Sequence, residues 1–299
     1  MALRFAYNTN GAANHRLDDA LSLIADSGYD GVALTLDHHH FDPFEPDLER
    51  RAEALSRRLR DLSLGLVIET GARYLLDPRI KHEPTLLNPT PEGRARRIDF
   101  LTRCVRIAAI CEAEAVSFWA GVPQRGVDPA MAWGWLVDGV AQVADAAAEQ
   151  GVTVALEPEP GMLVETVDDY RRLSRELAER TSWPLRLALD TGHCLVTGER
   201  DPAAAVREFA EQLGTVAVED MRRGVHEHLP FGQGDMDIPS VLEALDGIGF
   251  DRLVCVELSR ESHRAHLAIP ESLDWLKARL PASSAQDSAQ SSAQTRRSA

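Results

Sequence analysis

The sequence predicts an α/β protein: a single (β/α)8 TIM barrel over residues 1–280, followed by a disordered tail over 281–299. Three observations carry this expectation. Short apolar runs rich in β-branched residues alternate along the chain with helical stripes, eight of each. Several separate runs finish abruptly in an acid, namely Glu69, Glu157, Asp190, Glu219 and Glu257. No G-x-G-x-x-G follows the first strand, which disfavours the alternative, a doubly wound open sheet built to bind a dinucleotide.

Leu3 to Tyr7 is the first strand, ending at Asn8 and Asn10. Leu17, Leu21 and Ile24 then share one helical face, closed by Gly28. Gly31 to Leu36 is the second strand and leads into Asp37 and three histidines. Asp47 to Asp61 is a helix rich in Arg and Glu, and Gly65 to Ile68 is the third strand, ending at Glu69. A long loop follows, TGARYLLDPRIKHEPTLLNPTPEG. Loops of that length are functional or disordered, and the charge and prolines here favour function. Ile98 to Cys111 continues a long helix, Ala115 to Trp119 is the fourth strand, and Met131 to Glu149 is an alanine-rich helix.

The fifth strand organises the rest. In VTVALEPEPGM, Thr153 to Leu156 reads as a buried strand that stops at Glu157, where Pro158 and Pro160 stiffen the turn. A carboxylate at the end of a buried strand costs free energy unless a cation or a proton-transfer task compensates it. Thr166 caps the next helix, with Asp168 and Asp169 in its first turn. Leu185 to Leu189 is the sixth strand, ending at Asp190, and Asp201-Pro202 opens a helix. Thr215 to Val218 is the seventh strand, followed by Glu219 and Asp220; Ser240 to Ile248 is a short helix. Leu253 to Val256 is the eighth strand, ending at Glu257, and the last helix runs from about Pro270 to Leu280. From Pro281 the composition turns to Ser, Ala and Gln, which cannot bury a core.

The chain has 299 residues and a net charge of −15, with 44% hydrophobic residues. The acidic balance argues against nucleic acid or an anionic membrane as the main partner. Four cysteines without metal-ligand spacing point to a reducing, cytoplasmic setting. No run approaches the about 20 apolar residues that a membrane span requires, and the N-terminus MALRFAYNTN has no signal-peptide pattern. Oligomeric state is not readable, so a homo-oligomer stays open.

In a barrel of this kind the C-terminal strand ends form the active face. Acids converging there would repel one another, and a divalent cation (Mn, Mg, Co or Zn) resolves the repulsion. At this point the residues resemble a known family. ALEPEPG resembles the fifth-strand metal glutamate of the xylose isomerase-like TIM barrel superfamily, LALDTGHC its sixth-strand motif, and CVELS its eighth-strand glutamate. HEHLPFGQGDMDIPSVLEAL resembles the segment after its seventh strand. The superfamily contains sugar isomerases and epimerases, inosose dehydratases and isomerases, and endonuclease IV.

The resemblance implies metal ligands Glu157, Asp190 and Glu257. The family's fourth ligand is a strand-seven histidine, but this chain carries Thr215 and Ala217 there. His226 resembles a later histidine of endonuclease IV and takes the fourth place, with Glu219 as its competitor, since oxygen donors suit Mg or Mn. His193 would contact substrate, as its counterpart does in relatives; a satisfied core histidine is the plainer account. Arg73, Lys81 and His82 of the long loop would bind an anionic or polyhydroxy substrate, against an ordinary charged surface. Glu159 divides between solvation and function, His38 to His40 read as a solvated loop, and Phe118 and Trp119 as core, unless an aromatic at the mouth stacks on a sugar ring.

The implied activity is a divalent-metal-dependent isomerase or epimerase of a sugar, sugar derivative or cyclitol, working through an enediolate, with Glu157 and Glu257 as catalytic base and acid. A dehydratase on the same substrates is close chemistry. Phosphodiester cleavage needs further histidines on the early strands, for which there are no clear counterparts, and the net charge opposes DNA. A non-catalytic accessory barrel is the third reading, supported by the missing strand-seven histidine.

Overall fold

Each strand is short, apolar and flanked by turn residues, and each pairs in parallel with its neighbours through the intervening helix. The structure, a computed structural model, describes residues 2–280. The strands are β1 (Arg4–Asn8), β2 (Gly31–Thr35), β3 (Gly65–Glu69), β4 (Val116–Trp119), β5 (Val154–Glu157), β6 (Arg186–Asp190), β7 (Leu213–Val218) and, after a hairpin, β10 (Leu253–Val256). They close into a barrel in the order β1-β10-β7-β6-β5-β4-β3-β2, the (β/α)8 architecture that the sequence predicts. The expected tail over 281–299 lies outside the described residues.

The outer ring is α1 (Leu17–Asp26), α2 (Leu48–Asp61), α3 (Pro91–Cys111), α4 (Pro129–Gln150), α5 (Val167–Leu177), α6 (Thr191–Thr197), α7 (Pro202–Glu208), α8 (Ile238–Gly247) and α9 (Ala265–Lys277). Helical periodicity faces the sheet: Leu48, Ala52, Leu55 and Leu59 of α2 are buried at one stripe. The start of α5 is a capping box, with Thr166 and Asp169 exchanging backbone hydrogen bonds as the sequence implies. Among the described residues no helix is long and apolar enough to cross a membrane.

Inside the barrel the side chains are small or branched. Ala6, Ala33, Val67, Leu253 and Cys255 form a separate buried cluster. Leu253 makes the floor, filling space that Gly31 and Gly65 leave by having no side chain; a Cβ on Gly31 would sit 2.5 Å from Leu253 Cδ1. Higher up, Ala188, Thr215 and Ala217 line the interior and leave room for the acids at the mouth.

Three segments differ from the sequence reading. A helix, α6, follows Asp190 directly. After β7 the chain makes a two-stranded antiparallel hairpin, β8 (Asp220–Arg222) and β9 (Val225–Leu229), which pairs with no barrel strand. Finally, α9 begins at Ala265 and carries Pro270 in its interior. An interior proline costs about 3 kcal/mol; here the buried Ala265, Ala268, Ile269, Leu273 and Leu276 offset it.

Candidate metal and active site at the barrel mouth

Asp190 shows how the fold sets the site. It is the last residue of β6 and the N-cap of α6, so one carboxylate oxygen is committed to the helix. Oδ1 accepts from the backbone N–H groups of Gly192 (2.8 Å) and His193 (3.3 Å). Oδ2 is buried and has no hydrogen-bond donor, and it lies 3.3 Å from His193 Nε2. The same helix start thus aims the free oxygen and the His193 ring at one point. His193 Nδ1 lies 2.9 Å from the Pro158 carbonyl, which fixes it as the N–H donor and leaves the Nε2 lone pair facing the site.

The hairpin supplies two more imidazoles. Strand alternation puts His226 and His228 on one face of β9. His226 Nε2 is 3.1 Å from His193 Nε2, and potential donor atoms of His193, His226 and His228 all fall within 4.8 Å of one another. Two further groups here meet the same criterion, Glu157 with Asp190 and His193, and Asp190 with Glu219 and His228; a fourth, Asp37 with His38 and His39, follows β2 and shares no residue with these three. The hairpin is held by Asp220, whose carboxylate accepts from Gly232 N (2.8 Å) and Met236 N (3.1 Å). Asp220 therefore anchors the loop and does not face the donors.

Glu219 is fully buried, and neither carboxylate oxygen has a hydrogen-bond donor. His228 Nδ1, 3.9 Å from Glu219 Oε2, is also buried and unpartnered. Buried polar atoms are almost always satisfied, so this many orphans in one place ask for a positively charged partner. The backbone leaves no slack here. A Cβ on Gly192 would lie 2.5 Å from Glu219 Oε1 and 2.8 Å from Met221 Sδ.

The electrostatics agree. Burial, reinforced by Glu159, Glu257 and Asp190, holds the Glu157 carboxyl well above the usual range. Burial and Asp190 do the same to Glu219. Burial and Glu257 push Glu69 up to about 7. Burial works against ionisation of Asp190 as well, yet His193 and His228 hold it below its ordinary value. Burial, with His193 and His228 beside it, pushes His226 down to about 4, which keeps its imidazole neutral and able to ligate.

A cavity of about 270 Å³ opens above these groups. Glu157, Glu257, His226, Arg73, Lys81 and His82, all expected from sequence to serve the site, line it. Asp190 lies just below, in the adjoining interior with Glu157 and Glu257. Glu257 lies outside the three donor groups; its Oε1 accepts from Asn10 Nδ2 at 2.8 Å. Glu159 lines the cavity, 3.7 Å from His226. Trp119 also lines it, whereas Phe118 is core. Of the early histidines, His38 is exposed but His40 is buried, with Nε2 3.2 Å from the His15 carbonyl, and none lines the cavity.

His228, Asn10 and Arg260 were not singled out by sequence reasoning. For His228 the signal exists: V-H-E-H-L alternates around an Arg-Gly turn, the mark of a hairpin strand. Asn10 and Arg260 reach the cavity from loops, and no local pattern marks them.

Comparison with known proteins fits this geometry. The chain is 26% identical over 190 residues to the 2-oxo-tetronate isomerase of Cupriavidus necator, covering 61% of this chain and 68% of the relative. It is 27% identical over 146 residues to the inosose dehydratase of Geobacillus thermodenitrificans, covering 43% of this chain and about half, 48%, of the relative. It is 22% identical to the L-ribulose 3-epimerase of Mesorhizobium japonicum, over 80% of this chain and 74% of that one. Among solved structures it superposes on an L-ribulose 3-epimerase with a TM-score of 0.73 at 19% identity, covering 96% of this chain and 97% of the other. It matches the IOLI protein, solved with a bound zinc atom, with a TM-score of 0.72 at 19% identity, over 93% and 98% of the two chains. These two structures establish likeness of fold. The family model described as xylose isomerase-like TIM barrel matches residues 21–279, most of the chain, and with the closed barrel and its strand-end acids this places the protein in that family.

Proposed function

We propose that the protein is a divalent-metal-dependent isomerase or epimerase of a sugar, sugar derivative or cyclitol. One observation carries the reading: the buried, unpartnered oxygens of Asp190 and Glu219 and the unpartnered nitrogen of His228 converge beside the imidazoles of His193 and His226 at the mouth of the barrel. Such a mixed oxygen and nitrogen set fits Mn, Co or Zn as well as Mg. Glu157, Asp190, His226 and Glu257 are the proposed ligands, and the geometry adds His193, His228 and Glu219 as donors. When bound, the ion would polarise adjacent carbonyl and hydroxyl oxygens of the substrate and so acidify the carbon between them.

The chain's own groups perform the proton transfer. Glu157 ends β5 and Glu257 follows β10, so they approach a substrate in the cavity from different sides of the mouth. Glu157 lines both the cavity and the interior below it, where its carboxylate would reach a substrate carbon as a base. Asn10 holds one oxygen of Glu257 and leaves the other free to deliver or receive a proton. His193, His226 and Trp119 narrow the mouth, and the modest cavity volume suits a small molecule. The related isomerase, epimerase and dehydratase names support this substrate class.

A dehydratase is the second reading, favoured by Glu69. Its carboxyl, pushed up to about 7, lines the same cavity and could protonate a leaving hydroxyl. Turnover of ketoses and inososes in D2O with Mn tests both readings. Isomerase or epimerase activity incorporates solvent deuterium with conservation of mass otherwise; dehydration loses one water. With excess Mn, Glu157→Gln and Glu257→Gln are each expected to slow exchange by about 10²–10⁴-fold. Parent-rate exchange by both metal-loaded variants would falsify the acid/base assignment.

A further inference from the structure

The cavity lining carries charges of both signs: the acids Glu69, Glu157, Glu159 and Glu257, and the cations Arg73, Lys81 and Arg260. Arg260 is committed to Glu227. Arg73 and Lys81 are not committed: among the described residues neither has a carboxylate within ion-pair distance or a side-chain hydrogen bond. Surface cations such as Arg171, Arg200 and Arg264 pair with acids, whereas Arg73 and Lys81 line a cavity that also holds carboxylates and pair with none among the described residues.

The backbone that presents Arg73 is built at a cost. Ala72 and His82 both take the left-handed conformation, at φ 45° and 70°. Residues with a Cβ pay about 1–2 kcal/mol for this, and it persists where surrounding contacts enforce it. Here the enforcing contacts are visible. The Arg73 carbonyl accepts from His82 N at 2.5 Å, and the Gly71 carbonyl accepts from His82 Nδ1 at 2.8 Å. The His82 ring meets the edge of Trp119, with centroids 5.2 Å apart. The other side of Trp119 is backed by the buried guanidinium of Arg97, 4.3 Å from the ring. The loop between β3 and α3 is thus pinned onto the cavity, with Arg73 at one end of the pinned turn and Lys81 beside the other.

We propose that the substrate of this site carries an anionic group, a carboxylate or a phosphate, which Arg73 and Lys81 receive while the reacting carbon lies toward Glu157 and Glu257. The proposal rests on the proton-transfer reading of the same mouth and narrows it to sugar acids or sugar phosphates. Repulsion from the carboxylates of the lining then orients the molecule, since Arg73 and Lys81 are the lining cations without a carboxylate partner.

Calorimetric titration of the Mn-loaded full-length protein with three four-carbon probes tests this: erythronate, erythritol 4-phosphate and neutral erythritol. The anionic probes are expected to bind about tenfold or more tighter than erythritol, the advantage of a charge-assisted contact. Raising salt from about 0.05 to 0.5 M should shrink that advantage. Whichever anion binds more tightly identifies the group. Arg73→Met and Lys81→Met should each bring the anion close to erythritol while Mn affinity and melting temperature stay at parent values; Lys81 is exposed, so its variant folds whatever Arg73→Met does. An anion preference that persists in both variants would mean that the ion, not the loop, binds the charge, and overturns the proposal. Erythritol binding as tightly as the anions overturns it too, leaving the sugar reading intact. If none of the three probes binds, both fall together.

Discussion

Asp220→Ala tests whether the hairpin is what completes the donor set. The carboxylate of Asp220 is buried and accepts two backbone N–H groups, from Gly232 and Met236. Hydrogen bonds to a charged acceptor contribute about 1.5–3 kcal/mol each, so removing both costs roughly 3–6 kcal/mol. Relief from burying a carboxylate returns part of this, leaving a net loss of about 2–4 kcal/mol. At roughly 2 °C per kcal/mol for a chain of this size, the melting temperature should fall by about 4–8 °C. The loop held by Asp220 closes the hairpin that carries His226 and His228, so the variant should also bind Mn or Zn about 10–100-fold more weakly, as expected when a group supporting the ligands is lost. Asp220→Asn keeps one acceptor and should fall between parent and Ala. Scanning calorimetry and metal titration of the three proteins read both effects. An alanine variant with parent melting temperature and parent metal affinity would show that neither the loop nor the hairpin depends on this carboxylate.

Chelation should lower the melting temperature of the parent protein, because an ion bound only to the native state at about 100 times its Kd adds about 2.7 kcal/mol; Mn or Zn should restore it, and an unchanged curve with no metal by elemental analysis contradicts the site. Gly192→Ala places a Cβ against Glu219 and Met221, and overpacking of this kind costs about 1–3 kcal/mol; thermal melts should show a loss of several degrees, and metal titration a weaker site. Thr166→Ala removes a capping box whose side-chain partner is Asp169 and none of the donors; it should cost about 1 kcal/mol with metal affinity unchanged, which makes it the control for global destabilisation.

The barrel was legible because its strands announce themselves twice, by β-branched runs and by their acidic ends. Those ends pointed to five acids, and the family resemblance narrowed them to Glu157, Asp190 and Glu257, all three of which the structure sets at one mouth. The loss of the strand-seven imidazole was legible, and so was His226 as its stand-in; His228 beside it was not. Ala217 pairs in register with Asp190 and Cys255 on the barrel wall and offers no donor. Both histidines lie on β9, whose five residues alternate but bury no apolar face, so strand rules built on burial pass over it. His193 was visible, but its direction was not, since α6 is only seven residues long and starts on a residue that also ends a strand. Pro270 misplaced the start of the last helix because the proline rule weighs backbone cost alone, and tertiary burial prevailed.

The hairpin has one more consequence. The donors on β5, β6 and their flanks are locked by neighbouring strands on both sides, whereas β8 and β9 hydrogen-bond as a sheet only to each other. An element so weakly tied to the sheet opens at lower free energy than the wall behind it. Were a cation held at this mouth, Glu157 and Asp190 would meet it from the barrel wall and His226 and His228 from an element tied to the barrel only outside the sheet. Substitutions at the Arg223-Gly224 turn would therefore test the hairpin's share of metal affinity without touching a single donor.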